Sequence, residues 1–142
     1  MVAAELGQHI HFFRHAVARS PHEPAWRRTV GDRLAPLRRA FAEHVGATEG
    51  PDGLYRELLD QAPRLAHGVD GLVLEHRALL AAIERLHARL RAAEAGPDRL
   101  GGSAAEQLRG SAADLLQALA RHRQRGADLV YEAYETDIGG ET

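Results

Sequence analysis

Apolar residues recur every three or four positions along four long stretches of this 142-residue chain. That period places them on one face of an α-helix, whereas a strand would need strict alternation. The stretches cover about residues 3–19, 24–48, 63–95 and 103–136, and a short helical piece is predicted at 54–60. No helix can bury its own apolar face, so each needs the others. The pattern predicts an all-α fold, an antiparallel up-down-up-down four-helix bundle forming a single domain over residues 1–142.

Proline and glycine mark the predicted ends of these helices. Turn-forming residues at 20–24 and 49–53 separate the first three stretches, and glycines with a proline at 96–102 separate the last two. Pro36 lies inside the second stretch, so we expect a kink or a break there. Residues 137–142 are predicted to be a short non-helical tail.

Composition and charge exclude several kinds of protein. The chain has no cysteine, which excludes disulfides, thiolate metal sites and a cysteine nucleophile. Eighteen basic and twenty acidic residues leave a net charge of −2, and the arginines at 121–125 have no aromatic residues between them, so we expect no nucleic-acid partner. No apolar run approaches the ~20 residues of a membrane span, and residues 1–5 do not resemble a signal peptide. We therefore expect a cytoplasmic protein with no membrane partner, and no haem or nucleotide motif is present.

The nine histidines are the unusual feature, because imidazole is the commonest metal ligand among side chains. When the apolar face of each stretch is continued through its gaps, one histidine falls on each: His9, His44, His76 and His122. The other five are predicted to lie at the surface: His11, His15, His22, His67 and His87. A buried imidazole without a partner costs roughly 1–3 kcal/mol. A shared metal ion would supply that partner, and the alternative is that a carbonyl, a water or a glutamate satisfies each ring separately.

Three segments around these histidines resemble the hemerythrin and HHE cation-binding family. They are Phe41-Ala42-Glu43-His44 with Leu54-Tyr55, then Leu74-Glu75-His76-Arg77-Ala78-Leu79-Leu80, then Leu119-Ala120-Arg121-His122 with Val130-Tyr131. The resemblance covers nearly the whole chain and depends on the order and spacing of histidines. It implies a four-helix bundle that holds a non-haem di-iron centre and binds oxygen.

The chain departs from the family where bridging carboxylates would be expected. Thr48 stands where the family has a glutamate after the second-helix histidine, and Gly126 and Ala127 stand at the carboxylate positions of the last helix. A second histidine of the third helix is replaced by Leu80. Because two cations need carboxylates to bridge them, we expect one metal ion, iron or another divalent metal, rather than two. The predicted ligands are His9, His44, His76 and His122, with Glu49 as a fifth.

Three interpretations of function remain open. The first is a hemerythrin-like protein that binds or senses a small oxidant or a diatomic gas at this metal. The second is a metal-free helical bundle with a structural, regulatory or protein-interaction role. The third is an enzyme acting on a small oxidant, although no clearly placed general acid or base accompanies the histidines. A homodimer through an exposed apolar face is also left open.

Overall fold

All described secondary structure is helical. The computed structural model describes residues 2–95 and 102–140, with side chains for 5–93 and 103–135. The helices are α1 (Val2–Val17), α2 (Trp26–Glu49), α3 (Leu54–Gln61), α4 (Ala66–Ala95) and α5 (Gly102–Gly140), and a 3₁₀ turn at Pro63–Leu65 joins α3 to α4. The long helices α1, α2, α4 and α5 pack side by side. The predicted all-α bundle of four long helices with a short helical insertion is confirmed.

Two predicted helix ends differ from the structure. Of the kink or break expected at Pro36, the break does not occur, because α2 continues through the proline to Glu49. Leu34 and Leu37 on either side of the proline are fully buried, and their burial offsets the ~3 kcal/mol that an internal proline costs. The predicted non-helical tail is also wrong for residues 137–140, because α5 runs to Gly140; extending an existing helix is far easier than starting one. Of the predicted connection at 96–102, Gly102 is the first residue of α5, and residues 96–101 lie outside the described residues.

The buried apolar residues form two separate clusters. The larger cluster joins α1, α2, α4 and α5 around residues such as Phe13, Leu34 and Ile83. The smaller cluster joins α3 to α4 and α5 around residues such as Leu58 and Val69. In the described part of the chain, no helix has both the length and the apolarity that a membrane crossing needs.

Polar residues occupy the junction between the two clusters. Along α4, Leu72 belongs to the smaller cluster and Leu79 to the larger one, and His76 lies between them. His122 has the same position on α5, between Leu119 and Ala133. The buried polar side chains of the described residues are Thr48, His76 and His122. The two-part core thus places a polar site inside the bundle.

Candidate metal centre

Three imidazoles from three helices meet at this junction. His44 of α2, His76 of α4 and His122 of α5 each offer one ligand nitrogen, and these three nitrogens lie within 4.8 Å of one another. The ring centroids of His76 and His122 are 4.7 Å apart, and those of His44 and His76 are 5.1 Å apart. His76 is fully buried and His122 is 3% exposed. The fold therefore concentrates ligand nitrogens where water is scarce.

Phe41 packs against all three imidazoles. Its ring centroid is 5.7 Å from those of His44 and His76 and 6.1 Å from that of His122. The Phe41 side chain is itself fully buried in the larger apolar cluster. Phe41 therefore closes one side of the site with an apolar surface.

Two of the imidazoles form hydrogen bonds with carboxylates through Nδ1. Nδ1 of His76 lies 2.5 Å from Oε2 of Glu49, and Nδ1 of His122 lies 2.7 Å from Oε1 of Glu75. Because a carboxylate accepts, we assign the proton to Nδ1 in both rings, which leaves the lone pair on Nε2. Glu75 also forms an ion pair with Arg125. A carboxylate behind an imidazole fixes its tautomer and orientation and raises its basicity, as in many histidine metal sites.

His44 has no such partner. Its Nε2 is buried and forms no hydrogen bond with any described residue. Burial, followed by the neighbouring His76 and His122, lowers the pKa of His44 from 6.5 to about 4. Burial also lowers the pKa of His122, against the opposing effect of Glu75. Both rings are therefore neutral near pH 7, which is the form that binds a metal.

Tyr55 of α3 covers His76 on another side. Its hydroxyl lies 3.2 Å from Nε2 of His76 and donates to that nitrogen, since the Nδ1 proton already faces Glu49. The two rings stack with an interplanar angle of 17°. Burial raises the pKa of Tyr55 to about 12, so the hydroxyl stays protonated. The short helix α3 thus supplies the hydrogen-bond donor that satisfies His76.

A cavity of about 260 Å³ adjoins His44 and His122. Gly126 and Ala127, the positions where carboxylates would be expected by resemblance, line this cavity. Thr48 lines it too, but its hydroxyl donates back to the carbonyl of His44 at 2.8 Å. The cavity wall therefore carries no carboxylate at these two positions.

The structure brings together three of the five predicted site residues as one group. His9 is half-buried and is not part of the three-histidine group; α1 instead contributes Leu6 to the cavity wall. Glu49 contacts the site through the ring of His76, as a hydrogen-bond partner. Of the five predicted surface histidines, four are exposed and His87 is half-buried.

Glu75 and Tyr55 are site residues to which the sequence pattern assigned no role. Glu75 directly precedes His76, and adjacent residues of a helix point about 100° apart. While His76 faces the centre of the bundle, Glu75 reaches across to His122 on α5. The signal that could have identified it is an acidic residue at the edge of an apolar helix face, next to a buried histidine.

The donor atoms fit a transition-metal ion. Three imidazole nitrogens suit zinc, iron, copper or nickel, and the unpaired Nε2 of His44 would gain a partner. Imidazole nitrogens bind at roughly 2.0–2.1 Å from such an ion, so the three rings would have to move about 1 Å closer together. Comparisons of the chain with family models, curated proteins and solved structures return no match. Any functional assignment therefore depends on the chemistry of these side chains.

Proposed function

We propose that this protein binds one divalent metal ion, iron or another transition metal, through His44, His76 and His122. The observation that carries the proposal is the buried, unpaired Nε2 of His44 next to two imidazoles oriented by carboxylates. A buried polar atom without a partner is costly in a native core. A metal ion bound to Nε2 of His44 would remove this cost. The negative charges of Glu49 and Glu75 would offset part of the charge of the ion.

A single ion is favoured over a pair. The described residues within reach of the three imidazoles include two carboxylates, and both already face an Nδ1 atom. Thr48 directs its hydroxyl to its own helix. No described carboxylate is left at the site to bridge a second ion, which supports a mononuclear centre.

The contacts between α4 and α5 support the proposed topology. Glu75 contacts His122, while a Cβ at Gly68 would lie against Leu129. Residue numbers fall along α4 as they rise along α5, as expected for antiparallel neighbours in an up-down-up-down bundle. We propose that the bundle is hemerythrin-like in its topology and that its metal site consists of three histidines.

The metal would bind a small oxidant or a diatomic molecule. Three protein ligands leave a transition metal with an open position, where it can bind and polarise a small molecule. The cavity next to His44 and His122 offers space for such a ligand. Phe41 and the surrounding apolar residues limit the entry of water from the core side.

A metal-free bundle with a structural or regulatory role is the second candidate, and one observation favours it. His76 and His122 each already have carboxylate partners, so two of the three rings are satisfied by the protein alone. In that case the core tolerates the unpaired Nε2 of His44, as it tolerates the buried Nε1 of Trp26, which also has no hydrogen-bond partner among the described residues.

Metal analysis of protein purified without chelator separates these candidates. We expect about one equivalent of metal per chain, and removal by a chelator should lower the melting temperature. Two equivalents of iron per chain would contradict the mononuclear proposal. No binding of Fe²⁺, Zn²⁺, Co²⁺ or Cu²⁺ at neutral pH would favour the metal-free bundle.

A further inference from the structure

Arg123 is a charged group at the cavity that the metal site does not use. It lines the cavity together with His44 and His122. Its guanidinium forms no hydrogen bond or ion pair with any described residue, unlike Arg125, which pairs with Glu75.

The absence of a side chain at Gly7 allows Arg123 to pack against α1. A Cβ added at Gly7 would lie 3.0 Å from a terminal nitrogen of Arg123 and 3.4 Å from its central carbon. The contact with the nitrogen would be tighter than an ordinary van der Waals distance. Glycine at this position therefore lets the guanidinium lie directly on the backbone of α1, beside Leu6 at the cavity wall.

The remainder of the cavity wall is largely apolar. Leu6, Leu54 and Val130 line it, and the side chains come from α1, α3 and α5. A volume of about 260 Å³ holds roughly eight water-sized groups. A ligand of that size with an apolar body and one negatively charged end would fit this cavity. Its body would contact the apolar side chains, and its charged end would pair with the guanidinium of Arg123.

We propose that this cavity binds a small organic monocarboxylate of about four to eight heavy atoms. The carboxylate pairs with the guanidinium of Arg123, and the hydrocarbon part lies against Leu6, Leu54 and Val130. Arginine suits this role because its planar fork of donors matches the two oxygens of a carboxylate. The site goes beyond the proposed metal function and does not require a bound metal ion.

The test uses the full chain stripped of metal by a chelator, so that no ion can bind the carboxylate. Acetate, butanoate and hexanoate are titrated and followed by NMR chemical shifts, with hexanamide as the uncharged comparison. Each added methylene should raise the affinity about fourfold while the cavity has room. Hexanamide should bind at least about tenfold more weakly than hexanoate, because it lacks the charge-assisted hydrogen bonds.

Two variants with matched controls test the location. Arg123→Gln should weaken hexanoate binding about tenfold or more, whereas Arg121→Gln, on the same helix but outside the cavity wall, should not. Gly126→Leu should abolish binding by filling the cavity, since a Cβ there meets no atom within 4 Å and the helix gains a better helix former. Gly110→Leu, which is also unobstructed and lies away from the cavity, is its control.

Equal binding of hexanoate and hexanamide would overturn the proposal, as would unchanged binding in Arg123→Gln or in Gly126→Leu. The absence of any saturable shift in the metal-stripped wild-type protein would overturn it too. None of these results bears on metal binding, which is measured separately by the metal content of untreated protein.

Discussion

Oε1 of Glu75 lies 2.7 Å from Nδ1 of His122, and this contact joins α4 to α5 at the three-histidine site. The residue before one imidazole of the group thus orients another on a different helix. Glu49 does the same for His76 from the last residue of α2. The two contacts make the site dependent on the relative positions of three helices.

Replacing Glu75 tests this dependence. Glu75→Gln keeps the shape but removes the charge that holds the Nδ1 proton of His122. We expect metal affinity to fall by about 10–100-fold, as is typical when the hydrogen-bond partner of a metal-bound histidine is removed. Competition titration against a chelator of known affinity measures this. Glu84→Gln, which removes an exposed partner of Arg38, should leave the affinity unchanged, and equal losses in both variants would contradict the role of Glu75.

The identity of the ligands is tested by comparing His76 with His9. His76→Ala removes one of the three converging nitrogens, so we expect metal binding near neutral pH to be lost. His9→Ala should keep about one metal per chain, because His9 is not part of the group. Metal content after gel filtration is the measurement. Loss of metal in His9→Ala, with the fold intact by circular dichroism, would return His9 to the ligand set.

Tyr55 is expected to stabilise the metal-free protein without being needed for the metal. Tyr55→Phe removes the donor to Nε2 of His76, which leaves a fully buried acceptor without a partner. The free energy of unfolding of the metal-free form should fall by about 1–3 kcal/mol, as measured by urea denaturation. Metal content should be retained, since the nitrogen needed by the metal is now available. Tyr134→Phe, at an exposed hydroxyl, serves as the control, and loss of metal in Tyr55→Phe would identify the phenol as a ligand.

The stability of the metal-free protein should decrease as the medium becomes acidic. The pKa of His44 is about 4 in the folded protein against 6.5 ordinarily, and burial is the main cause. Between these two values the unfolded chain binds more protons than the folded chain, so the free energy of unfolding falls as the pH drops from 6.5 towards 4. The pKa of His122 is lowered as well and acts in the same direction.

Urea denaturation at several pH values in this window measures the effect. His44→Leu should flatten the dependence because it removes the imidazole whose pKa is lowered to about 4, whereas His67→Leu, at an exposed position, should not. A wild-type stability that stays constant over the window would show that the folded protein accepts a proton at His44 without cost.

The apolar period of the sequence predicted the helices and the inward direction of His44, His76 and His122. The same pattern does not predict the position of His9 correctly. A side chain can lie on the inward side of its helix without reaching the other three histidines. Leu6, Ile10 and Phe13 define the buried face of α1, and His9, adjacent to Ile10, lies at its edge. Whether a residue at the edge reaches the centre depends on how far each helix is shifted along its axis, which no single-helix pattern specifies.

The partners of the imidazoles were harder still to predict. Glu75 and Glu49 are surface-type residues at helix edges, and their contacts depend on which neighbouring helix lies beside them. Thr48 stands where the resemblance has a glutamate, yet its burial and its hydrogen bond to the carbonyl of His44 are properties of the folded chain. Local sequence reveals which way a helix faces, but only the assembled bundle decides what each edge residue touches.

Phe41 has a consequence for how the sequence can change over time. Its ring is at once part of the larger apolar cluster and the surface on which all three imidazoles rest. A substitution elsewhere in that cluster which shifts the ring would displace the imidazoles without altering any polar residue. Substitutions in the apolar cluster therefore affect the positions of the three histidines, so the two sets of residues cannot vary independently during evolution.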